Sequence, residues 1–149
     1  MGFNILDFFT EKGETLVWTE GKSQKLNRKY LSKSDPIIPK DINIAVLVNQ
    51  GSASASEIIA GTLQDLDRGV VIGRSTFGKG LVQITKTIND SLKLKVTTAK
   101  YYLPSGRLIQ KFDYLGDGSL TDGLNDKDSL FFSANGRKIK GGGGITHDI

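Results

Sequence analysis

Three residues have types and spacings suited to nucleophilic chemistry: Ser54, Lys79 and Gln83. Ser54 lies in Gly51-Ser52-Ala53-Ser54-Ala55-Ser56-Glu57, between an apolar run and a segment with helical spacing. A serine at such a strand-to-helix turn can sit at the carboxyl edge of a sheet, where α/β sites form. The helix that follows opens with unpaired N–H groups and a positive dipole end, so the Ala55 amide suits an oxyanion. A simpler role competes, because Ser54-Ala-Ser-Glu57 is itself a capping box. Ala53 and Ala55, small on either side, leave room for a substrate carbonyl at Ser54. Lys79 sits between Gly78 and Gly80, which permit close backbone approach and unusual dihedrals. In a strand, Lys79, Leu81 and Gln83 share one face. A lysine held by a neutral amide where water is excluded can give up its proton and act as a base; the plainer reading is a surface loop lysine. Together the three make a candidate Ser-Lys dyad with Gln83 orienting the amine, a variant of triad logic.

The counts of other residue types agree with this choice. There is no cysteine, so thiol nucleophiles, disulfides and cysteine-rich zinc sites are excluded. The single histidine is His147, three residues from the end, a poor position for a Ser-His-Asp triad or a multi-histidine metal site. A second motif invites a different reading: Gly73-Arg-Ser-Thr-Phe-Gly78-Lys79 fits the first seven positions of a phosphate-binding loop. The eighth position should be Ser or Thr to hold magnesium, and it is Gly80. Such a loop must also open a helix, whereas residues 81–86 read as a strand, so nucleotide binding is rejected.

The chain has 149 residues, 18 of them glycine and 3 proline, with a net charge of +4. That length fits one domain. Residues 21–40 carry six basic side chains (Lys22, Lys25, Arg28, Lys29, Lys33 and Lys40) against Asp35, a net +5, so the rest of the chain is −1. This stretch reads as a solvated loop or edge strand; nucleic-acid binding is the alternative, with only Tyr30 there to stack on a base. No apolar run reaches the ~18 residues of a membrane-spanning helix. Met1-Gly2-Phe3-Asn4 enters an amphipathic segment without the basic and apolar regions of a signal peptide.

The elements that must position the three residues follow from hydrophobic spacing. Ile5, Leu6, Phe8 and Phe9 predict a short helix stopped by Gly13, and residues 14–20 predict a strand. Residues 42–48 are almost wholly apolar, as a strand buried on both faces of a parallel sheet requires. Ile58, Ile59, Leu63 and Leu66 predict a helix over 54–66. Residues 70–72 predict a second buried strand, completing a βαβ unit. A loop over 74–80 leads to a predicted hairpin of residues 81–88 and 92–103. Residues 113–128 read as a long acidic loop, and Asn135-Gly136 marks a last hairpin between 130–132 and 137–139.

Three runs now carry a family likeness: IAVLVNQGSASASEIIAGTLQDLDRGVVIGRSTFGKGLVQ, LKLKVTTAKYYLPSGRLIQ and NGRKIKGGGGITHDI. They resemble the C-terminal processing (tail-specific) serine proteases over roughly residues 16–149. The resemblance implies Ser54 as nucleophile, Lys79 as general base, Gln83 as its partner and the Ala55 N–H as an oxyanion donor. It implies an α/β, crotonase-like core of twisted sheets with βαβ units, and no cofactor or metal. It also implies protein or peptide substrates with apolar C-termini, and an extracytoplasmic (periplasmic or exported) parent. Family members carry a PDZ domain and an upstream glycine segment that supplies a second oxyanion donor. Neither pattern occurs in these residues, so the expectation is that 1–149 is a partial catalytic core, truncated on its N-terminal side, with little proteolysis of its own and a surface that could pair with another copy. Proline is usual where His147 stands, which argues against a catalytic His147. Two other classes remain beside the protease reading: a non-catalytic binding or scaffold domain of the same fold, and nucleic-acid binding through 21–40.

Overall fold

The computed structural model describes residues 3–114, 119–122 and 129–149. The chain opens with a single helical turn, α1 (Phe3–Leu6), shorter than its apolar spacing predicts. Leu6 is fully buried, its carbonyl accepts from the Thr10 hydroxyl at 2.9 Å, and Gly13 turns the chain at φ 88°. Next comes β1 (Thr15–Gly21), with Leu16 and Val17 buried. The basic segment becomes an edge strand, β2 (Arg28–Leu31), antiparallel to β1, with Tyr30 opposite Val17 and Arg28 opposite Thr19.

The strand–helix–strand unit is present as β3 (Ala45–Val48), α2 (Ala55–Asp65) and β4 (Val70–Gly73). The two strands are parallel, with Ala45 opposite Val70. One expectation fails here: the strand predicted over 42–48 is not buried on both faces. Leu47 is 78% exposed and Val70 39%. The reason is that the sheet has two strands, and among the described residues only one face is covered. The far edge of β4 is met by the C-terminus: the Val71 amide donates to Asp148 Oδ2 at 2.8 Å and the Gly73 amide to the Ile149 carbonyl at 3.0 Å.

The predicted hairpin is β5 (Leu81–Thr87) and β6 (Lys93–Tyr102), with a register shift between Val82 and Gln83. β6 also pairs with β1, Tyr101 facing Thr19, so the larger sheet runs β2-β1-β6-β5. The acidic stretch is not wholly loop. β7 (Phe112–Tyr114) and β8 (Leu120–Asp122) pair antiparallel, while 115–118 and 123–128 lie outside the described residues. The last hairpin, β9 (Leu130–Phe132) and β10 (Lys138–Lys140), forms as Asn135-Gly136 predicts, with Gly136 at φ 81°.

The core lies between α2 and the inner face of the larger sheet. Ile58, Ala60 and Leu63 of α2 belong to one buried cluster with Val17, Val71, Tyr101, Leu103 and Ile145. Alternating apolar residues on β1 and a helical stripe on α2 thus bury against each other, the main source of stability for a small α/β unit. This packing sets the N-terminus of α2 beside the β5–β6 hairpin.

Candidate active site

Ser54 stands between β3 and α2, at φ 58° and ψ −113°. A non-glycine residue with positive φ is uncommon, and such strain, on the order of 1–3 kcal/mol, is kept where surrounding contacts over-determine it. Those contacts are visible. The Ser54 amide donates to Glu57 Oε2 at 2.9 Å, and the Ser54 carbonyl accepts from the Ile58 amide at 3.0 Å. The predicted capping box over Ser54–Glu57 is therefore present, and its carboxylate also reaches further.

Glu57 is fully buried. Its Oε1 accepts from the Thr76 hydroxyl at 2.5 Å and the Gly78 amide at 2.7 Å. Its Oε2 accepts from the Lys79 amide at 2.9 Å as well as from Ser54. One carboxylate oxygen thus holds the backbones of both Ser54 and Lys79. A second tie runs between the two loops, from the Phe77 amide to the Ser52 carbonyl at 3.0 Å. On the sheet side, the Tyr101 hydroxyl donates to the Lys79 carbonyl and lies 3.4 Å from the Ser54 carbonyl. Burial, and then the negative charge of Glu57, push the Tyr101 phenol above its ordinary range, so it stays a donor.

The glycines around Lys79 have physical reasons. Gly78 takes φ 87°, and a Cβ there would stand 2.5 Å from the Lys111 side chain. A Cβ on Gly80 would stand 2.8 Å from the Gln110 amide nitrogen. Gln110 Oε1 accepts from the Gly80 amide at 2.6 Å, which pins the start of β5.

Ser54, Lys79 and Gln83 line one cavity of about 380 Å³, with Tyr101 beside them. Val17, Ile58, Leu81 and Val82 supply apolar wall. Gln83 Nε2 donates to Thr97 Oγ1 at 3.2 Å, which fixes the amide plane and leaves the carbonyl oxygen as the end suited to an amine. Ser54 Oγ and Lys79 Nζ make no hydrogen bond with each other here; nucleophile–base contacts in substrate-free sites are commonly long. Ala55 is exposed and not part of the cavity wall, although its amide follows Ser54 in the first turn of α2. His147 lines a different cavity with Gln64 and Arg107.

A larger cavity, about 710 Å³, lies among Phe9, Asp67, Arg68 and Arg137. Its cations are committed to holding the fold. Arg68 donates to the carbonyls of Phe9, Pro39 and Ile42, and Arg137 pairs with Asp67 at 3.0 Å and Asp148 at 2.6 Å. No group of three or more His, Cys, Asp or Glu placed to hold a metal occurs among the described residues.

Residues 2–116 match the model of the peptidase family S41. The chain is 44% identical over 107 residues to a carboxy-terminal-processing protease of Bartonella bacilliformis, covering 72% of this chain and 24% of that one. It is 38% identical over 130 residues to carboxyl-terminal-processing peptidase 3, chloroplastic, of Arabidopsis thaliana, covering 84% and 24%. Among solved structures, the photosystem II D1 C-terminal processing protease superposes with a TM-score of 0.63 at 36% identity, covering 73% of this chain and 28% of that one. The chain therefore spans about a quarter of the length of the curated relatives it matches. Its α/β fold, its turn of small residues at Ser54 and its matched stretch agree on one assignment: the chain belongs to peptidase family S41.

Proposed function

We propose that the protein is a serine endopeptidase that cleaves protein substrates near their C-termini with a Ser54–Lys79 dyad. Ser54 Oγ attacks the scissile carbonyl while Lys79, as general base, takes its proton. The oxyanion forms beside the Ala55 N–H, at the positive end of α2. Lys79 then protonates the leaving amine, and a water molecule, activated by the same lysine, hydrolyses the acyl ester. Gln83 holds the amine through its side-chain carbonyl. The chemistry calls for no metal or cofactor.

The observation that carries this reading is the shared carboxylate. Glu57 Oε2 binds the amides of Ser54 and Lys79 together, so two loops 25 residues apart are fixed as one unit facing one cavity. A cap alone has no use for the Lys79 loop, and a scaffold domain has no use for a strained serine. The same reading takes the core as crotonase-like, its substrates as peptides with apolar C-termini and its place of action as outside the cytoplasm. In the full-length protein, Ser54→Ala and Lys79→Ala should each lower turnover of such a peptide by about 10³-fold or more. Retention of most activity by either variant rules out the dyad.

A further inference from the structure

The cavity at Ser54 holds one cation that the dyad does not use. Lys95, on β6, lines the same cavity of about 380 Å³ as Ser54, Lys79 and Gln83. It lies opposite Thr85 in the β5–β6 ladder, and two residues from Thr97, whose hydroxyl holds Gln83. In a strand, residues two apart share a face, so Lys95 projects on the Gln83 side, and Lys93 stands two further along that face. The cavity wall includes Lys79 and Lys95 but no Asp or Glu. Glu57, the carboxylate that ties the two loops together, is fully buried and its oxygens are taken by four donors. The ion pairs among the described residues involve Lys40, Lys100, Arg107 and Arg137, not Lys95.

Resting on the reading of this cavity as the substrate site, we infer that Lys95 is a specificity residue that selects peptides presenting a carboxylate beside the scissile bond. A cavity whose wall carries the Lys95 cation and no carboxylate has a positive potential, and its apolar walls strengthen that field by excluding water. The carboxylate has two possible sources of the same chemistry, an Asp or Glu side chain or the free C-terminus of the peptide. Lys95 is exposed, so its contribution is that of a partly solvated charge, felt as modest affinity and salt dependence.

The test measures binding of three synthetic peptides to the full-length protein. They share one sequence with an apolar end: the first has a Glu and a free C-terminus, the second replaces the Glu with Gln, and the third is amidated. The first peptide should bind about 2- to 5-fold more tightly than at least one of the other two. That ratio should shrink towards one at high salt, and also in Lys95→Gln. Loss of the advantage with the Gln peptide assigns the carboxylate to a side chain, and loss on amidation assigns it to the C-terminus; either supports the inference. Equal binding of all three, an advantage unchanged in Lys95→Gln, or no binding of any peptide overturns it. A neutral fluorophosphonate, which carries no carboxylate, should label Ser54 equally in the wild type and in Lys95→Gln. Failure of that labelling with the charge preference intact sinks the catalytic reading and leaves the binding preference standing.

Discussion

Glu57 and Tyr101 both hold the backbones of Ser54 and Lys79, one through amides and the other through carbonyls. Glu57→Ala removes the acceptor for four donors and leaves several of them buried without a partner. Each such group costs about 1–3 kcal/mol, so urea unfolding should show a loss of at least ~3 kcal/mol. A midpoint within error of the wild type would contradict the network. Tyr101 gives a pH prediction. Its phenol is raised in the folded state, so the stability it contributes is fully present below the ordinary tyrosine range and is lost as pH rises above it. Tyr101→Phe should therefore flatten the fall in melting temperature between neutral and strongly alkaline pH, and an unchanged slope counts against the assignment. That Ser54, Lys79 and Gln83 would come together was legible in the sequence, because a small-residue turn and a lysine between glycines are local patterns, and the three line one cavity. The full role of Glu57 was not. Its capping position is local, but the donors it gathers from Thr76, Gly78 and Lys79 lie 19 to 22 residues away, and only the fold brings them in. Tyr101 reads as an ordinary strand residue until β6 is placed against both loops.

Among the elements, α2 is the one on which the site depends most, and its far end is fixed by a buried ion pair. Asp65 Oδ1 lies 2.7 Å from Arg107 Nη2, with both side chains wholly buried. The Ser105 amide donates to Asp65 Oδ2 at 2.9 Å, and Arg107 also donates to Gln64 Oε1 and to the Lys140 carbonyl. Removing one partner strands the other charge, so Asp65→Ala should cost about 3–5 kcal/mol in denaturant unfolding. The double replacement Asp65→Leu with Arg107→Met should be less damaging than the single one, and the opposite order refutes the pairing argument. The basic segment was the ambiguous element in the sequence, because charge alone does not separate a solvated strand from a nucleic-acid face. In the structure, Trp18 stacks on Tyr102 with centroids 5.7 Å apart, and Tyr30 lines the Ser54 cavity. The Trp18 and Tyr102 faces beside this segment are thus already engaged with each other. A labelled single-stranded oligonucleotide should show no salt-dependent binding even at about 50 mM salt, and clear binding there would favour the nucleic-acid alternative. The strand over 42–48 was read too generously. Apolar sequence reports what a strand can bury, not how many strands or layers are there to bury it, and Leu47 remains in the open.

On the scale of the whole molecule, a chain with no cysteine and one histidine near its end has few routes to peptide hydrolysis. The fold packs α2 against a four-stranded sheet so that a serine loop and a lysine loop meet over one cavity, the arrangement on which the proposed function rests. Composition excluded cysteine chemistry, motif spacing pointed to Ser54, Lys79 and Gln83, and packing supplied the ties between their loops that neither could show. The central claim is that Ser54 is an activated nucleophile and that Lys79 activates it. The most direct measurement is reaction of the full-length protein with a fluorophosphonate probe, followed by mass-spectrometric mapping of the adduct, in the wild type and in Lys79→Ala. The account predicts a single adduct on Ser54 that falls to background in Lys79→Ala; an adduct elsewhere, or undiminished labelling of Ser54 without the lysine, would contradict it.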